Sequence, residues 1–98
     1  MTINVTLEND TVILAPTEKI DFVTAPEVEK AIEANAAAAD RMIIDMAQVD
    51  YISSAGLRAI LFADNLMSEK KGMALKNVNS SVLEILDLSG FSQEVQIL

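Results

Sequence analysis

The sequence predicts an α/β fold, in which an N-terminal β-hairpin is followed by βαβ units that build a mixed, mostly parallel sheet with helices packed on it. After the hairpin, short apolar segments alternate with segments of helical periodicity, the order typical of parallel sheets with right-handed crossovers. The chain has 98 residues, 51% of them hydrophobic, which is enough for one modest core. We therefore expect residues 1–98 to form a single domain.

The first two strands form the predicted hairpin. Apolar and polar side chains alternate over residues 3–7, which indicates a half-buried strand. Asn9-Asp10 supplies a turn, and a second strand over residues 12–14 is ended by Pro16.

The first helix should begin at Thr24. Thr24 and Glu27 have the spacing of a capping box, and Pro26 lies in the first turn. The alanines of residues 36–39 continue the helix, since alanine is the best helix former. Residues 42–46 then form a buried strand.

The second half of the chain repeats this alternation. We expect, in order, a helix over residues 54–71, a strand over 73–78, a short helix that ends at 89–90 and a last strand over 94–98. Gly72 follows two lysines and marks the end of the long helix. Ser81 and Glu84 have the spacing of a second capping box, which predicts the start of the short helix.

The charge of the chain limits its partners. Fifteen acidic residues oppose seven basic ones, which gives a net charge of −8 and a pI near 4.2. Such a surface repels phosphate backbones and anionic lipids, so we expect no nucleic acid and no membrane insertion, and instead a partner with a basic patch. Since there is no cysteine and no signal-peptide pattern, a cytoplasmic location is expected.

The residue types that are missing exclude much catalytic chemistry. Without histidine or cysteine there is no Ser-His-Asp relay, no thiolate nucleophile and none of the usual zinc sites. Gly56, Gly72 and Gly90 lie too far apart for a glycine-rich phosphate cradle. We therefore expect a protein that is not an enzyme and that has no cofactor or metal.

The most informative segment is the serine turn, residues 50–57, which joins a buried strand to the long helix. Ser53 and Ser54 fall at the start of that helix, where a hydroxyl can cap the helix and where a phosphate is tolerated. Such a hydroxyl is a helix cap, a nucleophile or a phosphorylation target. Because this turn and residues 20–23 both follow strands at the carboxyl edge, we expect Asp21 beside Ser54.

The apolar residues of the long helix fall on two faces. Its period places one set against the sheet: Ala59, Ile60, Ala63, Leu66 and Met67. Leu57 and Leu61 fall among polar residues. They either pack on a neighbouring helix or the last strand, or form an exposed apolar strip on which a partner helix docks.

Three segments resemble the STAS family of bacterial anti-sigma factor antagonists. Ile52-Ser53-Ser54-Ala55-Gly56-Leu57 resembles the central motif of the family, and residues 20–25 (Ile-Asp-Phe-Val-Thr-Ala) resemble its second marker. Residues 86–91 (Leu-Asp-Leu-Ser-Gly-Phe) match in type and place. The resemblance covers essentially the whole chain and implies a STAS-like single domain.

What the family implies is a partner-switching regulator. The unmodified antagonist binds an anti-sigma factor, often a serine kinase of the histidine-kinase-like ATPase fold. The kinase phosphorylates one serine, the antagonist lets go, and a PP2C-type phosphatase resets it. Aligned on the Gly-Leu pair, the phosphoacceptor is Ser54, and Asp21 is the family's aspartate beside it. The expected partner surface around them consists of Phe22, Ser53, Ala55, Gly56, Leu57, Arg58 and Leu61.

The chain departs from the family pattern at two positions. Many members carry Asp at the position of Ser53 and Gly at that of Glu18.

Some small STAS-like proteins are constitutive accessory subunits of membrane transport complexes, which is the alternative function. A serine hydrolase that uses Ser54 with Lys70 or Lys71 is excluded, because those lysines lie at the far end of a helix that rises about 1.5 Å per residue.

Overall fold

The computed structural model describes residues 1–98 and has a five-stranded sheet with three α-helices, which confirms the predicted α/β class. The strands follow one another in space as they do in sequence: β1 (Ile3–Glu8), β2 (Thr11–Pro16), β3 (Arg41–Asp45), β4 (Met73–Lys76) and β5 (Gln96–Ile97). The pair β1–β2 is the antiparallel hairpin, and the other three pairs are parallel.

The helices lie in the connections between the parallel strands. They are α1 (Ala25–Ala36), α2 (Ser54–Met67) and α3 (Ser80–Ser89), and a short 3-10 turn over Phe91–Gln93 precedes β5. Right-handed crossovers in a sheet whose strands advance in one direction bring successive helices to the same face. Consistent with this, burial alternates along β2 and β3, so that one face of the sheet carries the core.

The core is built from rows of side chains that cross the strands. Leu14 on β2 pairs with Ile44 on β3, which pairs with Leu75 on β4, and all three are at most 1% exposed. Ile60 of α2 and Leu86 of α3 are likewise fully buried in the same cluster. Burial of each such side chain stabilises the fold by about 1.5–3 kcal/mol before entropy costs.

The first strand is less buried than its alternating pattern predicts. Val5 and Leu7 are paired with the core residues Leu14 and Val12, yet they remain 49% and 57% exposed. The reason is that β1 is the edge strand, whereas α1 contacts its neighbour β2. The strand was predicted correctly, but its half-buried, alternating burial was not.

Helix α1 begins after Thr24 with Pro26 in its first turn, as predicted, but neither of the two predicted capping boxes forms. The hydroxyl of Thr24 does not cap α1, since it donates to the carbonyl of Lys19 at 2.8 Å instead. Helix α3 is capped by Asn79, whose side-chain oxygen accepts from the backbone N–H of Val82 at 2.8 Å, rather than by Ser81. Gly90, with φ of 82°, ends α3 in the left-handed conformation as expected.

Other element ends also differ from prediction. Helix α1 ends at Ala36, three residues before the last predicted alanine, and α2 ends at Met67 instead of Lys71. Strand β4 stops at Lys76, because Asn77 takes a positive φ of 58°. These ends depend on contacts between elements, which the local sequence does not specify.

Lys70 ties the end of α1 to the segment that follows α2. Its ammonium group donates to the carbonyl oxygens of Ala36 at 2.6 Å and Ala39 at 2.9 Å. The last carbonyls of a helix have no partner within the helix, so a cation placed there satisfies them and interacts favourably with the helix dipole.

We expect Lys70→Met to destabilise the protein by about 1–2 kcal/mol, because it removes two charge-assisted hydrogen bonds to these carbonyls. Urea unfolding followed by circular dichroism measures the loss. Lys30→Met is the matched control, since Lys30 is exposed on α1 and forms no hydrogen bond or ion pair. Equal stability of the two variants would contradict the assigned role of Lys70.

Candidate functional site

The loops that follow β2 and β3 are joined by a short parallel bridge between Ile20 and Ile52. The N–H of Ile20 donates to the carbonyl of Tyr51 at 3.0 Å, and the N–H of Ser53 donates to the carbonyl of Ile20 at 2.9 Å. Both isoleucine side chains are at most 1% exposed. The bridge holds the segment with Asp21 beside the serine turn, which confirms that the two loops are neighbours.

Gly56 lets the first turn of α2 rest directly on this bridge. A Cβ atom at Gly56 would lie 2.5 Å from Cγ1 of Ile52 and 2.6 Å from the carbonyl oxygen of Ile20. Real Cβ atoms do not approach so closely, and one of the two obstacles is backbone that is already hydrogen-bonded. Glycine is therefore required here by close approach, and its φ is an ordinary helical one.

The two serines have different structural roles. Ser53 is the N-cap of α2, with extended backbone angles (φ −97°, ψ 179°) and a side-chain oxygen that accepts a long 3.4 Å hydrogen bond from the N–H of Gly56. Ser54 is the first residue of the helix, and its exposed hydroxyl makes no hydrogen bond within the chain. Ser53 thus meets the capping requirement, and the hydroxyl of Ser54 has no structural partner.

Asp21 organises the entry to α1. Its Oδ1 accepts from the N–H of Val23 at 2.9 Å and from the N–H of Thr24 at 3.1 Å, while its own N–H donates to the hydroxyl of Thr24 at 2.9 Å. The hydrogen bond from the Thr24 backbone is the main reason that the pKa of Asp21 lies below its usual value. Asp21 therefore remains ionised and holds the loop in shape.

Two large apolar side chains project from this loop. Phe22 is 81% exposed and Val23 is 76% exposed, and Tyr51 across the bridge is 47% exposed. An aromatic and a β-branched side chain in such positions are typical of a protein-binding surface. The sequence pointed to Phe22 but not to Val23 or Tyr51, although Val23 lies within the second motif and Tyr51 directly precedes the central one.

The remaining predicted site residues divide into buried and exposed ones. Leu57 is 8% exposed and belongs to the core, and Leu61 is half-buried, so the two do not form an exposed apolar strip. Ala55 and Gly56, within the serine turn, are buried, whereas Arg58 is exposed one helical turn beyond Ser54. Leu66, expected on the sheet side of α2, is instead 38% exposed.

Around the bridge the surface is polar and acidic. An open depression is lined by Glu18, Lys19, Asp21, Asp50 and Tyr51. The acidic groups do not converge, and no three of them are placed to hold a metal ion. Glu18, at the position where the related family often carries glycine, has a positive φ of 64°, the region that glycine enters most easily.

A family model for the STAS domain matches residues 2–98. The chain belongs to the STAS domain family. This match covers the bridge, the serine turn and all of the elements that position them.

Known STAS proteins and solved structures resemble this chain to different extents. A stretch of 52 residues is 36% identical to BtrV of Bordetella bronchiseptica, a protein provisionally named an anti-sigma factor antagonist, and covers 52% of this chain and 45% of BtrV. An anti-sigma factor antagonist from Mycobacterium paratuberculosis superimposes with a TM-score of 0.89 at 23% identity, over 98% of this chain and 83% of that one.

Two further structures show how widely the fold is used. The phosphorylated form of SpoIIAA, a Bacillus cell fate determinant, superimposes with a TM-score of 0.74 at 14% identity, over 99% of this chain and 91% of that one. A sulfate transporter family protein from Wolinella succinogenes gives a TM-score of 0.79 at 15% identity, over 94% of this chain and 79% of that one. At these identities the likeness concerns the STAS fold alone.

None of the helices of the chain is both long and apolar enough to span a bilayer.

We expect Gly56→Ala to destabilise the protein by about 1–3 kcal/mol, because the new methyl group overlaps the bridge and outweighs the higher helix propensity of alanine. Urea unfolding gives the free energy. The control is Asn65→Ala, at an exposed position of the same helix, which should leave stability unchanged or slightly higher. If Gly56→Ala behaved like Asn65→Ala, the close approach would not constrain the fold.

We expect the pKa of Asp21 to fall below 3.8 in a carboxyl-carbon NMR titration. A carboxylate whose pKa is lowered by folding adds stability above its unfolded pKa, and this contribution is lost as the pH falls through the folded pKa. The wild type should therefore lose more stability than Asp21→Asn when the pH drops from about 5 to about 2. Parallel acid-unfolding curves for the two proteins would contradict this.

Proposed function

We propose that this chain is an anti-sigma factor antagonist whose binding is controlled by phosphorylation of Ser54. Unmodified, it binds an anti-sigma factor that is a serine kinase of the histidine-kinase-like ATPase fold, and the phosphorylated form releases it. The observation that carries this proposal is the free, exposed hydroxyl of Ser54 at the start of α2, since Ser53 already caps the helix.

The position of Ser54 allows a phosphate without loss of the fold. A phosphoserine adds about −1.5 to −2 charge. At the first helical position the group faces solvent, unpaired backbone N–H groups and the positive end of the helix dipole. The bridge and the core beneath it involve no atom of the Ser54 side chain, so the sheet is expected to stay intact.

The same phosphate opposes partner binding. The neighbouring exposed apolar side chains, Phe22 and Val23, are suited to be covered by a partner, and Asp21 next to them carries a negative charge. Burial of a dianion in such an interface costs several kcal/mol. A micromolar complex has a binding free energy of about −8 kcal/mol, so this cost is large enough to release the partner.

The comparisons support this proposal at the level of the family. The partly matched relative BtrV has a name that assigns it to this class, and phosphorylated SpoIIAA has the same fold. We propose accordingly that residues 1–98 act as one non-enzymatic STAS domain in the cytoplasm, where the kinase has ATP, and that a PP2C-type phosphatase restores the hydroxyl. A transport-complex subunit is the second candidate, favoured by the likeness to the sulfate transporter family protein. The free hydroxyl of Ser54 favours the switch, since a permanent subunit does not need it.

We expect Ser54→Ala to bind the cognate kinase as tightly as the wild type and to accept no phosphate, and Ser54→Asp to bind at least about tenfold more weakly, since tenfold corresponds to only 1.4 kcal/mol. Calorimetric titration with the kinase encoded nearest in the genome measures the affinities. Phosphorylation with ATP followed by peptide mass mapping identifies the modified residue.

Ser53→Ala separates the two serines. It removes the cap and should weaken α2 by about 1 kcal/mol, yet Ser54 should still be phosphorylated. Modification of Ser53 in the wild type, or equal kinase affinity of Ser54→Asp and Ser54→Ala, would contradict the proposal. Binding to a transport ATPase with no response to either substitution would favour the subunit.

A further inference from the structure

Arg58 is an exposed cation without a partner near the serine turn. Of the seven basic residues, Lys70 donates to backbone carbonyl oxygens, Lys71 pairs with Asp10, and Lys76 pairs with Asp45. The side chains of the other four, Lys19, Lys30, Arg41 and Arg58, have no partner, and among them only Arg58 lies on α2. Arg58 forms neither a hydrogen bond nor an ion pair, although it is one of the few positive charges in a chain of net charge −8. Because the guanidinium of Arg58 has no partner in the unmodified protein, it is available to bind a phosphoryl group that is added later.

The helix geometry directs Arg58 toward Ser54. The two residues are four apart on α2, so they are neighbours on the helix surface, about 5–6 Å apart at Cβ. A helical side chain leans back over the turn that precedes it, which for Arg58 is the turn that begins at Ser54. The order, with the anion four residues before the cation, is also the favourable one.

The surroundings of Arg58 leave room for a phosphoryl group. Arg58 and Ala55 line a shallow depression between α2 and the start of α1, together with Phe22, Ala25, Pro26 and Glu29. The charged groups of this region are Glu29 on α1, Asp21 and Lys19 in the loop after β2, and Asp50 in the loop before α2. Glu29 shares the depression but forms no ion pair with the guanidinium.

Resting on the proposed phosphorylation of Ser54, we propose that Arg58 is the intramolecular partner of the phosphoserine. The guanidinium hydrogen-bonds the phosphoryl oxygens of its own chain in a two-pronged contact that a lysine cannot reproduce. The released state is then a defined, internally paired state.

The test uses protein with phosphoserine placed at position 54 by direct incorporation, so that no kinase is required. We expect a phosphorus NMR titration to give a second phosphate pKa below the usual value of about 6. Arg58→Gln should raise that pKa by about 0.2–0.4, the shift that corresponds to one exposed ion pair on a helix. Arg58→Lys should retain part of the effect, and about 1 M salt should reduce it.

Two controls separate pairing from a general charge effect. Lys30→Gln removes the same charge from an exposed residue of α1 and should leave the phosphate pKa unchanged. Phosphoserine placed at position 53 should not respond to Arg58→Gln, because five residues do not bring two side chains to one helix face. Equal phosphate pKa values in the wild type and Arg58→Gln, or equal shifts with Lys30→Gln, would overturn the inference.

The result of the phosphate titration is independent of the tests of the proposed function. Kinase binding and mass mapping decide whether Ser54 is the regulatory serine, whereas the titration decides whether Arg58 pairs with a phosphate installed there. A protein whose Ser54 proved not to be a kinase target could still show the Arg58-dependent shift. Conversely, an intact switch with no Arg58-dependent shift would eliminate only the pairing.

Discussion

The bridge between Ile20 and Ile52 is the interaction on which the rest of the site depends. It extends the pairing of β2 and β3 past their ends by two backbone hydrogen bonds, at 3.0 and 2.9 Å. The first turn of α2 rests on it at a distance that only glycine permits, through Gly56. A larger residue would push the helix start away from the sheet edge and separate the serine turn from Asp21. Much of the glycine requirement in this motif thus comes from packing.

Above the bridge, structural and chemical roles are assigned to different residues. Ser53 caps α2 and Asp21 fixes the turn before α1, so both side chains accept hydrogen bonds from backbone N–H groups. Ser54 is exposed, and its hydroxyl forms no hydrogen bond within the chain. The side chain of Ser54 therefore contributes no hydrogen bond to the scaffold of the site.

The site presents a locally apolar surface on a protein that is acidic overall. With a net charge of −8, most of the surface repels anions, yet Phe22 and Val23 present bulky apolar side chains on the loop that is bridged to the serine turn. The STAS fold itself does not decide the function, because an anti-sigma factor antagonist and a sulfate transporter family protein share it with this chain.

The sequence alone determined the α/β class, the order of the elements and the position of the serines at a helix start, because periodicity and turn residues act over a few neighbouring positions. It also placed Asp21 beside the serine turn, since the ends of adjacent parallel strands meet at one sheet edge. The tertiary structure decided which serine caps α2, why Val5 and Leu7 stay exposed on an edge strand, and that Leu57 is buried. Each of these outcomes depends on which distant element covers a residue or accepts its hydrogen bond, and burial of that kind is a property of the assembled sheet and helices.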